Sequence, residues 1–256
     1  MTDRNNILKQ IRENRTIIAD RDGFVIDVDK IRSIMDRIRI LFFPEYYNHE
    51  DRQEELFASI SRDLEEEIRK VDVNYVEITD RFLDALPQIQ RTLYKDIQAI
   101  YDGDPSAKTY SEIVLSFPGF LAVYLYRIAH VLYEMNVPII PRIITEYAHE
   151  KTGIDINPGA RIGEYFCIDH GTGIVIGETA TVGDHVRMYH GATLGVRNFR
   201  KDGVGNLLKG GKRHPDVGNH VIIYANATIL GGDTQIEDGL VIPADSLILQ
   251  TPEKFK

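Results

Sequence analysis

Two periodicities divide the chain. Up to about residue 150, apolar residues recur every three or four positions. Leu56, Ile60, Leu64 and Ile68 are separated by Arg62, Glu65, Glu66 and Arg69, the signature of a helix with one buried face. Ile89, Leu93, Ile97 and Ile100 form a second run, and Pro87 is placed to occupy its first turn. Asp102-Gly-Asp-Pro105 breaks that run. Leu121, Leu125, Ile128 and Leu132 predict a third helix. Pro141 is placed to open a fourth, and Gly153 sits where its C-terminal cap belongs. Most of this region reads as a helical bundle for packing or assembly.

After Gly153 the spacing becomes six. Pro158, Glu164, His170, Ile176, Val182, Met188 and Leu194 form one series. Ile162, Ile168, Ile174, Ala180, Val186 and Ala192 form another. A period of six is neither helical nor a simple alternation. It marks a solenoid in which short strands turn corners and stack coil on coil, three strands to a coil. The pattern resumes at Val217, Ile223 and Ile229, slips by one residue, and continues at Ile236, Ile242 and Ile248. The fold expected is α+β: a helical domain over 1–152, then a parallel β-helix over 153–256. A glycine-rich loop, 195–216, interrupts the solenoid. It carries Arg197, Arg200, Lys201, Lys209, Lys212 and Arg213 against Asp202 and Asp216, and a loop of this length in a regular repeat is more often functional than accidental.

Composition narrows the function. A net charge of −9 argues against nonspecific binding to nucleic acid or anionic membrane. The polar N-terminus lacks a signal-peptide pattern, no run is long enough to span a bilayer, and the single cysteine, Cys167, suits a reducing compartment. A cytoplasmic protein is expected. No phosphate-binding loop or dinucleotide fingerprint is present. Nor is there tight metal-ligand spacing: His185 and His190 lack a third ligand and read as groove or interface residues, so no metal is expected.

His170 stands out because the hexad series predicts an inward aliphatic there. A lone histidine at such a position is ordinarily a satisfied core residue. Three features favour chemistry instead. Asp169 is adjacent, Gly171 and Gly173 leave room for a ligand, and Asp155 lies fifteen residues earlier, close to one expected coil. A carboxylate on one imidazole nitrogen fixes the tautomer and leaves the other nitrogen free as a base.

The runs Gly153-Ile-Asp-Ile-Asn-Pro-Gly-Ala-Arg-Ile-Gly163 and Asp169-His-Gly-Thr-Gly-Ile-Val-Ile-Gly-Glu-Thr179 resemble the serine O-acetyltransferase family of hexapeptide-repeat acyltransferases. Gly191-Ala-Thr-Leu-Gly195, Lys212-Arg-His-Pro215 and Ala227-Thr-Ile-Leu-Gly231 follow in that family's order. Asp96-Ile-Gln-Ala and Asp104-Pro match its helical domain, so the likeness runs from about 90 to about 242. The resemblance implies a left-handed β-helix, the hand opposite to the general rule for parallel crossovers. It also implies acetyl transfer from acetyl-CoA to L-serine, the first step of cysteine biosynthesis.

In that scheme His170 is the base and Asp155 orients it. Asp104 and Asp169 meet the serine ammonium, and Arg213 pairs with the carboxylate, for which a guanidinium fork is suited. His214 is a second histidine at the substrate. Acetyl-CoA would reach main-chain groups near Gly195 and Ala225, its phosphates drawn by the basic loop. The family assembles as a homotrimer or as a hexamer of two trimers, with active sites between subunits.

Three features depart from the pattern. The loop before Arg213 is long, Tyr224 and Asn226 replace small residues, and the chain ends in Lys256 rather than in an isoleucine-tipped tail. The last places the complex with O-acetylserine sulfhydrylase in doubt. A hexapeptide acyltransferase for another hydroxyl acceptor and a non-catalytic trimeric scaffold stay open as alternatives. The pairing of Asp104 with Arg213 favours a zwitterionic acceptor.

Overall fold

The computed structural model describes residues 4–14, 23–199 and 201–252. The polar N-terminal tip, Arg200 and the Lys256 end lie outside the described residues, and with them the expectation about the C-terminal tail. Among the described residues no single helix is long and apolar enough to cross a membrane.

Helices come first: α1 (Arg4–Asn14), α2 (Val28–Phe42), α3 (Pro44–Tyr47), α4 (Gln53–Arg69), α5 (Tyr75–Gly103), α6 (Tyr110–Ser116), α7 (Pro118–Glu134) and α8 (Ile140–Thr152). Helix α4 buries Ile60, Leu64 and Ile68, as the four-residue spacing predicts. Helix α8 has Pro141 in its first turn and ends at Gly153, whose φ of 70° is the left-handed conformation that closes a helix. Pro87 does not open a helix. It lies inside the 29-residue α5. A proline removes one i to i−4 hydrogen bond, but Phe82, Leu86, Ile89 and Leu93 are buried on both sides of it and hold the helix together through the break.

Thirteen short strands follow among the described residues: β1 (Asp155–Ile156), β2 (Arg161–Ile162), β3 (Cys167–Asp169), β4 (Val175–Ile176), β5 (Thr181–Val182), β6 (Arg187–Tyr189), β7 (Thr193–Gly195), β8 (Asp216–Val217), β9 (Ile222–Ile223), β10 (Thr228–Leu230), β11 (Gln235–Ile236), β12 (Val241–Ile242) and β13 (Leu247–Ile248). They form three parallel faces of a prism. Face A is β1-β4-β7-β10-β13, face B is β2-β5-β8-β11, and face C is β3-β6-β9-β12. Most hexads bury two positions, for example Ile174 with Ile176 and Ala180 with Val182. Each large aliphatic removed from water contributes about 1.5–3 kcal/mol, so the solenoid is held by its axis of small and branched side chains.

The inward register differs from the expected one at a single place. Asp155 pairs with Val175 and Ile168 with Met188, so the first coils advance by twenty residues, while Val175 pairs with Thr193, eighteen on. The two extra residues fall between β3 and β4, where the chain turns from face C to face A. His170 therefore occupies a widened corner and not the core, which corrects its inward assignment. Its φ is 56° and its side chain is 78% exposed.

One buried ion pair ties the helices to the prism. Arg127 of α7 grips both Asp96 oxygens at 2.8 and 3.0 Å and also donates to the carbonyls of Ile162 and Gly163. Asp96 in turn accepts from the Phe166 amide at 2.9 Å. Removing either partner would strand a buried charge.

Candidate active site

The candidate residues fall at two corners, one at each end of face A. At the C–A corner, His170 stands between β3 and β4 with its Nε2 3.7 Å from Asp169 Oδ1. His190, one coil on, meets the His170 ring edge-on at 5.8 Å between centroids. Glycines at this corner have positive φ, 97° at Gly171 and 82° at Gly173, so the backbone turns where a side chain would obstruct the approach.

Asp155 lies on the rim of the same corner. Its amide donates to the Ile174 carbonyl at 2.9 Å, and the Gly173 amide donates to the Gly153 carbonyl at 2.8 Å. A coil of twenty residues, not fifteen, puts Asp155 beside Val175 instead of directly beneath His170. Among the described residues no hydrogen bond or ion pair joins Asp155 to His170. The Asp155 carboxylate instead has ligand atoms of Glu146 and His149 within 4.8 Å, near enough for the three to share a cation.

Asp104 caps α5. Its carboxylate accepts from the Ser106 amide at 2.8 Å, the helix-ending turn that Asp-Pro favours. The end of α5 is held against face C, because the Arg187 guanidinium of β6 donates to the Gly103 carbonyl. Arg187 follows Cys167 in the ladder, and β3 runs on from Cys167 to Asp169, so Asp104 and Asp169 approach the corner from the same side. Sequence reasoning passed over Arg187. Its only signal was one more polar residue in the run Asp184-His-Val-Arg-Met-Tyr-His190.

Gly195 and Ala225 fall at opposite ends of face A, Gly195 at the A–B end one coil on from Gly177 and Ala225 at the C–A end. Gly195 ends β7 on face A, in register with Leu230. Ala225 sits at the C–A corner above His190, where its carbonyl accepts from Asp245 and the next amide, Asn226, donates to His190. Tyr224 stacks on Tyr189 at 5.1 Å and stands 40% exposed beside this edge.

Arg213 and His214 lie elsewhere, at the A–B corner after β4. Arg213 pairs with Glu178, whose other oxygen accepts from the Tyr133 hydroxyl at 3.0 Å. That pairing holds the Glu178 carboxyl below the usual range, Arg213 being the largest cause. His214 is only 6% exposed, its ring resting on Gly177. The long loop reaches this corner at its basic end: Lys212 donates to the Thr179 carbonyl at 2.8 Å and pairs with Asp216. Farther out, Lys201 bridges Leu207 and Arg197 pairs with Asp233.

The corners of His170 and His214 are separated by a full face. Six residues of extended chain from Thr172 to Glu178 span roughly 20 Å. An amino acid cannot touch both in one chain. The structure thus puts His170 beside Asp169, sets Asp155 on the rim of that corner and ties the Asp104 turn to face C, while Arg213 and His214 lie at a different corner.

A triangular parallel solenoid with an exposed histidine on a glycine-lined corner has the architecture of the hexapeptide-repeat acyltransferases. The family model described as serine acetyltransferase, N-terminal, matches residues 38–124. A plasmid-encoded serine acetyltransferase of Synechococcus elongatus is 51% identical over 155 residues, 60% of this chain and 49% of that protein. A serine acetyltransferase of Staphylococcus epidermidis is 42% identical over 160 residues, 62% of this chain and 70% of that protein. Among solved structures, Entamoeba histolytica serine acetyltransferase 1 in complex with L-cysteine is 35% identical, with a TM-score of 0.71, covering 90% of this chain and 87% of that one. The chain belongs to the serine acetyltransferase family, and its solenoid is the left-handed parallel β-helix of those structures. It spans about half the length of the Synechococcus plasmid relative and 62% of a second Synechococcus serine acetyltransferase.

Proposed function

We propose that this protein transfers the acetyl group of acetyl-CoA to the hydroxyl of L-serine, giving O-acetyl-L-serine and CoA. The observation that carries this reading is His170: an accessible imidazole beside a carboxylate, on a corner whose glycines turn with positive φ. His170 takes the hydroxyl proton as the serine oxygen bonds to the thioester carbon. The C–S bond then breaks, and the departing sulfur receives that proton from the imidazolium. Asp169 stabilises the cation formed in between, and Asp155, on the rim one coil below, is the candidate for orienting the ring. Asp104 and Asp169 take the serine ammonium.

Arg213 and His214 supply the carboxylate end from a second copy of the chain, since no single chain brings them to His170. A closed trimer around a threefold axis parallel to the solenoids would set the C–A edge of one copy against the A–B edge of the next, so that each site is shared. Acetyl-CoA runs along the C–A edge past Ala225, with Gly195 supplied from the A–B edge of the neighbouring copy. Two trimers joined through their helical regions, and a cytoplasmic location, complete the picture. Domains spanning 1–152 and 153–256, with the 195–216 loop reaching over the site, are part of the same proposal.

The test is thiol release from acetyl-CoA with L-serine, L-homoserine, a sugar or no acceptor, for wild type and His170→Ala. Serine-dependent release that collapses in the variant is expected. Release without serine, or an unaffected variant, overturns the reading. Preference for a sugar supports the alternative acceptor class.

A further inference from the structure

We propose that Thr179 is a positioning residue that locks His214 as the neutral Nε2–H tautomer, making this ring a fixed hydrogen-bond donor to the carboxylate of the acceptor. The inference rests on the reading of Arg213 and His214 as the carboxylate subsite, and adds what sets the chemical state of the histidine.

The geometry is over-determined. The Thr179 main-chain N–H points at His214 Nδ1 from 3.1 Å. An N–H can only donate, so Nδ1 must carry the lone pair and the proton must sit on Nε2. The Thr179 hydroxyl enforces the same choice. Its Oγ1 accepts from the main-chain N–H groups of Arg213 at 3.0 Å and His214 at 3.1 Å. With both lone pairs engaged, the hydroxyl proton is left for Nδ1, 2.9 Å away. One threonine thus fastens the end of the long loop to the A–B corner and fixes the tautomer of the histidine it carries. Among the described residues Nε2 has no hydrogen-bond partner, although the residue is almost wholly buried. It lies against Gly177, where a Cβ would overlap the ring.

A proton added at Nδ1 would face two donors, so the imidazolium is disfavoured. The surroundings agree. Burial first, then the Arg213 guanidinium, lower the imidazole to about 4. Glu178 opposes this, and Lys212 adds to it weakly. Glu178 is itself committed to Arg213 and the Tyr133 hydroxyl, and Lys212 to Asp216, so neither is free to hold a charged ring. A neutral donor suits a site whose positive charge Arg213 already supplies. It also keeps His214 from competing with His170 as a base.

The experiment uses the full-length assembly of wild type, Thr179→Ser and Thr179→Val. Serine-dependent thiol release by wild type is measured first. Its absence would remove the substrate reading without touching the tautomer, which nitrogen-15 NMR of the imidazoles reads separately. In wild type and Thr179→Ser, His214 is expected as the Nε2–H form with no titration above pH 5. In Thr179→Val the main-chain N–H, the burial and Arg213 all remain, so the titration should rise above about 4 yet stay below the 6.5 of a free histidine. The KM for serine should rise several-fold and become pH-dependent through that range, with kcat changed less than twofold. Wild-type His214 protonated on Nδ1 overturns the proposal, and this result does not depend on any variant folding. So does a folded Thr179→Val that loses activity while keeping the wild-type His214 titration and pH profile, because the Thr179 hydroxyl would then only tether the loop.

Discussion

The two histidine-bearing corners are made of the same repeat yet place the ring in opposite circumstances. At the C–A corner two extra residues swell the turn, and His170 stands out into solvent beside Asp169. At the A–B corner the chain returns from the long loop onto Gly177 and Thr179, and His214 is buried, hydrogen-bonded at one nitrogen and held neutral. One ring stands open to solvent and substrate, while the other is built to keep its own proton. A solenoid corner has no fixed chemistry. What decides the state of the ring is whether the turn carries surplus residues or receives a loop.

Sharp contrasts between the corners are expected on substitution. His170→Ala should lower kcat by about 10²–10⁴-fold with little change in the KM for serine, in steady-state thiol release. A comparable loss at both kcat and KM would erase the distinction between base and binding corner. Mixing His170→Ala with Arg213→Ala, after dissociation and reassembly, should restore roughly a quarter of the sites when assayed at serine well below the raised KM of the Arg213 variant, because each restored site pairs a His170 from one copy with an Arg213 from another. No recovery would confine each site to one chain.

Arg213→Ala should raise the KM for serine about 10- to 100-fold, the worth of a charge-assisted hydrogen bond, and leave kcat nearly intact. Gly177→Ala should act through His214, since the added methyl displaces that ring. About a tenfold loss in kcat/KM is expected without loss of assembly, checked by light scattering. The smallest effect is on stability. His214 is held below the 6.5 of an unfolded histidine, so the unfolded chain binds the extra proton first. The contribution of His214 is therefore complete above about pH 6.5 and declines as the pH falls toward 4. Denaturant melts of His214→Asn should lack that part of the decline.

Much of this was legible in residue spacing. The amphipathic runs of α4 and α7, the Gly153 cap and the change to a six-residue period announce helices followed by a solenoid. The surplus at the first corner was also written in the chain: Pro158, Glu164 and His170 are not aliphatic, whereas Ile176, Val182, Met188 and Leu194 are. Read as one uninterrupted series, those positions put His170 in the core. Read as a phase slip between Ile168 and Ile176, they put it on a turn, as the ladder does. Pro87 misled for a different reason. Proline marks a first turn by local rules, but the apolar stripe on either side of it carries α5 through.

What the linear order of residues determined by itself is the period, the succession of helix and solenoid, and the motifs that mark the family, because these depend on neighbours a few positions apart. Tertiary structure alone decided that Asp155 shares a corner with His170 without lying beneath it, that Arg187 draws the Asp104 turn to face C, and that His214 meets Thr179 thirty-five residues away. Those relations depend on the length of each coil and on a loop returning to a distant corner. Such distances are summed over many residues, and one extra residue moves a side chain to another face.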